Sequence, residues 1–360
     1  MAKRKSRKIK IGKKVSLVLL VIVLVVAISL FTWSKLDYES FDNFWSSIIS
    51  IFDPKDPSLE GGGTEGNPTG KLMEIHFIDV GQGDAIYIEF PDGKDMLVDA
   101  GDRANANTQA LLSYIDNYGS ANDGIDYLML THVDADHVGG MDNVLDAYTV
   151  RNIYMPNVGK EESSPEKGYY ATQTYGQFYD ATYSEGANIY YNEGNFTISG
   201  TGWKIDVYAP VSSDYDKFTP NSGSKANNDM SPVMIIEYAG VRTLLSGDLN
   251  GEAESNAFTW SEEDFIERTG MSKIDCSVIK AGHHGSRDST STALLEFCDP
   301  EHVIISCGAD NSYGHPHQEV IDRIVAYDAS MSDNIYQTAQ KGHIQMQVGE
   351  NGEYKLVWEK

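Results

Sequence analysis

An α/β domain carried behind an N-terminal apolar segment is the architecture this sequence predicts, on three observations. Short runs rich in Val, Ile, Leu and Tyr alternate with helical stretches from about Lys71 to the end of the chain. Polar residues gather where those apolar runs stop. Near the N-terminus, Val15–Trp33 offers nineteen residues without a charge, long enough to cross a bilayer as a helix. The full chain has 360 residues and a formal net charge of −25, enough for one large α/β domain or two small ones. Its three cysteines, Cys276, Cys298 and Cys307, fit neither a disulfide framework nor a C-x-x-C zinc ribbon and are expected to be buried and reduced.

Residues 1–14 form a basic flank with eight Lys/Arg and no acid. The span at residues 15–33 is followed by Asp37, Glu39 and Asp42, so the N-terminus is expected in the cytoplasm and the rest outside it. No A-x-A-like cleavage site is evident, which favours an uncleaved anchor in the cell membrane. Setting the eight N-terminal cations aside leaves the remainder near −33. A domain that acidic is a poor non-specific binder of nucleic acid, whose phosphates call for basic contacts. Residues 34–70 read as a spacer. Phe41, Phe44, Trp45, Ile48, Ile49 and Phe52 share a helical face, and Asp53–Gly70 is rich in Pro, Gly and Ser and reads as a flexible linker.

The folded domain, residues 71–360, opens with strands at Leu72–Phe77, Ala85–Phe90 and Asp95–Val98, the last two joined by an Asp92-Gly93 hairpin signal. A helix at Thr108–Tyr118 and a buried strand at Tyr127–Thr131 lead to the stretch Leu130–Gly140, LTHVDADHVGG. Helix Met141–Ala147 and strand Asn152–Met155 follow. Residues 156–225 carry the weakest pattern; Tyr169, Tyr170, Tyr175, Tyr179 and Tyr183 suggest a helix and its approach, packed on the domain edge or offering a stacking platform. Strands are expected at Trp203–Ala209, Val233–Glu237 and Val241–Ser246, then a helix near Glu252–Trp260. Strand Asp275–Ile279, helix Thr292–Phe297, strand Val303–Ser306, helix Gln318–Tyr327 and strands His343–Val348 and Tyr354–Trp358 complete the chain.

The chemistry concentrates at strand ends. His132, Asp134, Asp136 and His137 lie within six residues, just after an apolar strand. Without a cation their carboxylates would repel one another; a divalent ion, or two, would take the acids and the neutral imidazoles as ligands. Asp79, Asp84, Asp99, Asp248, His283, His284, His315 and His317 also sit at strand ends, and six of the nine histidines lie in these turns. In α/β sheets such ends line one edge, where ligands bind.

Six blocks in order, FIDVGQGDA (Phe77–Ala85), LVDAG (Leu97–Gly101), LTHVDADHVGG, LLSGDL (Leu244–Leu249), AGHHGS (Ala281–Ser286) and YGHPH (Tyr313–His317), resemble the metallo-β-lactamase-fold hydrolases. Within them, the chain looks like stand-alone relatives of the hydrolase domain of the DNA-uptake protein ComEC. The resemblance covers about Leu72–Gly349. It implies an αββα sandwich with two divalent metals, Zn²⁺ or Mn²⁺, at one edge. His132 and Asp134 would bind one metal and Asp136 and His137 the other. Asp248 would bridge them, and one of His283 and His284 would complete the second. The pair would make hydroxide available from water near neutral pH. Asp99 would hold a ligand imidazole in one tautomer.

Two departures bear on the metal. Position 134 is Asp where the general family has His, and Asn227-Asn228-Asp229 stands where a third histidine is expected. A site poorer in imidazole favours Mn²⁺ or weakly held Zn²⁺, and it weakens the case for a β-lactamase. Pro316 suits a first helical position, which would aim backbone N–H groups and His315 or His317 at an anion. One of those imidazoles, or Ser286, could then assist a leaving oxygen. Gln82 and Asp84 are candidates for orienting substrate or ligands. The expected function is a membrane-anchored, extracytoplasmic metal-dependent phosphodiesterase or nuclease. The alternatives are an enzyme acting on choline-phosphate or teichoic-acid esters of the envelope, and a non-catalytic envelope binding module. A DNA-uptake role would need a channel partner in trans.

Overall fold

The structure, a computed structural model, describes residues 62–119, 124–158, 172–215, 224–251 and 260–360. Every described residue lies in one compact unit, within Asp56–Lys360. The expected span Val15–Trp33, the amphipathic stretch Phe41–Phe52, Tyr169 and Tyr170, and residues 252–259 of an expected helix all fall outside the described residues. Among the described residues no helix is long and apolar enough to cross a membrane.

Two sheets stack face to face. The larger contains β1 (Gly62–Gly63), β2 (Leu72–Phe77), β3 (Ile86–Glu89), β4 (Asp95–Val98), β5 (Ile125–Met129), β6 (Val150–Met155) and β7 (Asn188–Tyr191). The smaller holds β8 (Asn195–Ser199), β9 (Trp203–Tyr208), β10 (Val233–Tyr238), β11 (Val241–Leu245), β12 (Val278–Lys280), β13 (His302–Ile305) and β14 (Ile335–Gln337). The chain then returns to the larger sheet with β15 (Ile344–Gly349) and β16 (Tyr354–Trp358). Strand order is β1-β16-β15-β2-β3-β4-β5-β6-β7 in one sheet and β14-β13-β12-β11-β10-β9-β8 in the other.

Helices clad the outer faces: α1 (Asn105–Tyr118), α2 (Ala135–Val138), α3 (Met141–Ala147) and α4 (Gln173–Glu185), then short α5 (Ser212–Tyr215) and α6 (Ser224–Asn228). Further on come α7 (Glu262–Thr269), α8 (Thr292–Cys298), α9 (Gln318–Tyr327) and α10 (Thr338–Lys341). Strand periodicity explains the two cores. In β4, Met96 and Val98 face the other sheet and pack with Ile75, Ile236 and Met346. Leu97 between them faces the helices with Leu111, Leu128 and Val144. Both faces of that strand are buried, which is why it reads as an unbroken apolar run. The three cysteines are free and buried.

Most predicted elements lie within three residues of the observed ones, and three of the departures bear on the site or the domain boundary. The Gly-rich stretch read as linker contributes β1, whose Gly62 and Gly63 pair with Trp358 and Val357. A Cβ on Gly62 would stand 2.5 Å from the Trp358 ring, so this glycine serves a close approach and the folded domain starts before Lys71. Helix α7 was not expected; its Ser261 cap accepts from the Asp264 N–H at 3.3 Å, a signal that its charge-rich sequence hides. Pro316 is not at a first helical position: it follows a cis peptide bond and precedes His317, the N-cap of α9.

β4 through β7 run parallel, as do β11 through β14. Their C-terminal ends therefore deliver Asp99, His132, Asp248, His283 and His284 to one edge of the sandwich, where open α/β sheets bind ligands.

Candidate metal centre

Asp99, at the end of β4, holds a positive φ of 56°. Its Oδ1 accepts from the Thr131 N–H at 2.9 Å, and its Oδ2 accepts from the Thr131 hydroxyl and His137 Nδ1, each at 2.7 Å. On the opposite sheet, His284 Nδ1 donates to the Ser306 carbonyl at 3.0 Å. With both Nδ1 protons committed, the Nε2 lone pairs of His137 and His284 face each other 3.1 Å apart. Asp248 Oδ1 lies 3.2 Å from His137 Nε2, while its Oδ2 lies 3.4 Å from His284 Nε2. Asp136 Oδ2 stands 3.3 Å from His284 Nε2. Two carboxylates and two imidazole Nε2 atoms converge there with nothing but Nε2 protons to separate them, and a divalent cation in place of those protons resolves that arrangement.

Asp84, His137, Asp248 and His284, all buried, offer ligand atoms within 4.8 Å of one another. Two further atoms point the same way: His132 Nε2 and Asp248 Oδ1 are buried without hydrogen-bond partners. The donor set thus fits divalent metal. The charge balance agrees. Burial would lower the pKa of both His137 and His284, yet Asp248 with Asp99 or Asp136 raises each well above the ordinary value. Burial pushes His132 down to about 3, so it is a neutral ligand. Burial also pushes Asp134 up to about 7, against its hydrogen bond from Asn227 Nδ2 at 2.5 Å.

The two imidazoles in Gly282–Gly285 are set by backbone as much as by side chain. His283 and His284 both adopt left-handed φ, 48° and 54°, at roughly 1–3 kcal/mol each. The consequence is a division of labour. His284 is buried in the cluster; His283 is partly open, with Nε2 3.7 Å from Asp248 Oδ2 and Nδ1 3.4 Å from Asn228 Nδ2. Gly83 lets the loop after β2 close over the centre: its φ is 120°, and a Cβ there would meet the Asp136 carbonyl at 2.1 Å.

A cavity of about 330 Å³ opens over these groups. It is lined by Asp134, Asp136, Asp248 and Asp288, by His283, His284 and His315, and by Gln82, Asn228 and Tyr313. Ser286 and His317 do not line it: Ser286 is buried, and His317 Nδ1 accepts from the Arg287 N–H at 3.1 Å. His315 does, but burial and then His284 push its pKa down to about 4. A neutral imidazole at pH 7 is a hydrogen-bonding group, not the imidazolium acid expected for a leaving oxygen. Of the tyrosines expected either to pack on the domain edge or to offer a stacking platform, Tyr175 is a core residue, and Tyr179 and Tyr183 lie away from the cavity lining.

Three residues went unnoticed in the sequence: Lys280, Tyr313 and Asp288, which lines the cavity. Lys280, at the end of β12, is buried and ion-paired to Asp84, with Nζ also 3.2 Å from the Gly247 carbonyl and 4.0 Å from Asp248 Oδ1. A lone lysine closing an apolar strand was the available signal. Tyr313 is 63% exposed and stacks on His315, with centroids 5.7 Å apart and planes 20° from parallel.

Asp99→Asn tests the orienting bond. An amide has one acceptor oxygen where the carboxylate has two and carries no charge, so either the Thr131 N–H or the His137 and Thr131 hydroxyl donors meet an NH₂ group, and divalent-metal affinity should fall roughly 10–100-fold by equilibrium dialysis. Unchanged affinity would show that His137 is oriented without it.

Two stacked sheets flanked by helices, with a His/Asp cluster at the strand ends, are the arrangement of the metallo-β-lactamase fold. Residues 78–217 match the family model described as Metallo-beta-lactamase superfamily, whose members are usually metal-dependent hydrolases. The chain is homologous, at modest identity, to ComEC-type competence proteins. It is 26% identical over 287 residues to ComE operon protein 3 of Bacillus subtilis, covering 76% of this chain and 32% of that protein. It is 29% identical over 276 residues to Recombination protein 2 of Haemophilus influenzae, covering 76% and 28%. It thus spans about a third of the length of these relatives. Among solved structures, the metallo-β-lactamase fold protein YhfI from Bacillus subtilis aligns with a TM-score of 0.45 at 13% identity, over 74% of this chain and 96% of that one.

Proposed function

We propose that the chain is a membrane-anchored, extracytoplasmic phosphodiesterase that cleaves single-stranded nucleic acid. The observation that carries the reading is the cluster of Asp84, His137, Asp248 and His284, with Asp136 3.3 Å from His284, under a cavity that also exposes an aromatic face and a neutral imidazole. When bound, divalent cations there would polarise a phosphoryl oxygen and lower the pKa of water. The remaining work falls to this chain's side chains. His315, which lines the cavity, can hydrogen-bond a phosphate oxygen. Tyr313 offers a ring on which a base can stack, a contact tolerant of sequence. Asp134, Asp136 and Asp288 keep general anions out, so a phosphodiester enters only with cations to receive it. The names of the relatives, which speak of competence and recombination, support nucleic acid as the substrate class. The hydropathy of Val15–Trp33 supports the anchor.

The net charge of −25 favours a second reading, an envelope ester such as choline phosphate, whose quaternary ammonium would suit Tyr313. The test is cleavage of single-stranded DNA, bis-p-nitrophenyl phosphate and a choline-phosphate ester by metal-free full-length protein in detergent, titrated with Mn²⁺ and Zn²⁺. Metal-dependent DNA cleavage lost in Asp136→Ala is the expected result. Tyr313→Ala should raise KM for DNA roughly tenfold, from a stacking contribution of about 1–3 kcal/mol, and leave the small ester unaffected. Turnover of the choline ester alone would transfer the assignment, and tight metal binding without any turnover would leave a binding module.

A further inference from the structure

A second cluster of ligating groups lies on the outer face of the larger sheet and shares no residue with the centre above. Glu74 and His76 on β2 and Glu89 on β3 offer ligand atoms within 4.8 Å of one another. Glu74 and Glu89 are direct cross-strand partners, a position where like charges destabilise a sheet. His76 is 1% exposed. Its Nδ1 is paired with the Tyr114 hydroxyl of α1 at 2.8 Å, and its Nε2 lies 3.3 Å from Glu89 Oε2 yet makes no hydrogen bond. In the tautomer that donates Nδ1–H to the Tyr114 oxygen, the Nε2 lone pair points at the Glu89 carboxylate, and a cation between these two acceptors satisfies both.

The third strand completes the setting. Gln345 and Gln347 of β15 sit opposite His76 and Glu74, and their amide Nε2 atoms both donate to Glu74 Oε1, at 3.0 and 2.9 Å. These bonds hold the Glu74 carboxylate in place as outer-shell amides hold metal ligands.

We propose that Glu74, His76 and Glu89 form a second divalent-cation site, taking Zn²⁺ through one imidazole nitrogen and two carboxylates, with water completing the shell. Two carboxylates balance the ion's charge, and the nitrogen selects Zn²⁺ over Ca²⁺ or Mg²⁺. The site ties β2, β3 and, through Tyr114, helix α1 together, so its role is structural, independent of the reaction at the other edge.

The test counts zinc. Full-length protein stripped of metal is dialysed against Zn²⁺ and analysed by atomic emission, as wild type and as His137→Ala/Asp248→Ala, which disables the first centre. The double variant is expected to retain one Zn²⁺ per chain and to gain melting temperature with added Zn²⁺. Adding Glu89→Gln should weaken that binding at least roughly tenfold and abolish the thermal gain, with the far-ultraviolet dichroism unchanged. If Glu89→Gln does not fold, Glu74→Gln reads the same site from the neighbouring strand. A folded double variant that binds no Zn²⁺, or Glu variants that bind as their parent does, overturns the proposal.

Discussion

Asp248→Ala should empty the metal centre and lower phosphodiester turnover by about a thousandfold or more, as expected when a group that acts as part of a unit is removed. The argument is positional. Asp248 Oδ1 and Oδ2 face His137 and His284 respectively, and Oδ2 also lies within 3.8 Å of His132 and His283. No other carboxylate in the cavity reaches all four imidazoles within 4 Å among the described residues. Burial disfavours its charge, but His137 and then His284 and His283 hold its pKa well below the carboxylate range, so it is an anion at any working pH. Metal content and hydrolysis of bis-p-nitrophenyl phosphate measure the effect. Full activity with full metal content would mean the reaction occurs elsewhere.

Lys280→Met should be the most destabilising single change in the centre. The ammonium is buried, and its removal leaves Asp84, also buried, with a carboxylate that now lacks its cation. Breaking a buried pair from one side costs about 3–5 kcal/mol, which for a domain of this size is a fall of roughly 10 °C in Tm. The sign with pH can be worked out. Burial opposes ionisation of Asp84, but Lys280 and then His284 and His137 hold its pKa at about 2, below its unfolded value. The stability it contributes is therefore present above pH 4 and lost as pH falls from 4 toward 2. In Lys280→Met that acid limb should move to higher pH. Pairing the change with Asp84→Leu should recover most of the loss, because no lone charge remains. Thermal melts from pH 2.5 to 7 measure all of this, and an unshifted acid limb would sink the ion-pair account.

Much of the centre was legible because its residues lie where apolar runs stop. His132–His137 follow β5, Asp248 follows β11, and His283-His284 follow β12, each after a run of Val, Ile or Leu that could only be a strand. The choice between His283 and His284 was not legible. It depends on the left-handed turn that swings one imidazole inward and leaves the other at the cavity wall, and nothing in the pair's identity encodes that. Lys280 escaped because a lysine at a strand end is ordinarily solvated, and only the distant Asp84 makes burial tolerable. Edge strand β7 (NIYY) escaped because its tyrosines stay exposed and it shows no alternation, and β8 (NFTIS), which does alternate Phe196 and Ile198 inward, escaped because it is only five residues long. His315-Pro316 misled for a related reason: proline's preference for a first turn is local, while the observed backbone is set by Gly285, whose carbonyl accepts the His317 N–H at 2.9 Å.

The return of β15 and β16 to the larger sheet has a bearing on how the protein is made. β15 pairs with β2 across residues separated by more than 260 positions in sequence, so the sheet begun first during synthesis is finished last. Until that pairing, β2 is an uncovered edge with its backbone groups free to recruit another chain. Such distant closure is slow relative to local hairpins. A nascent chain would therefore carry an unfinished sheet through most of its translation, and the period before β15 emerges is when chaperone protection would matter most.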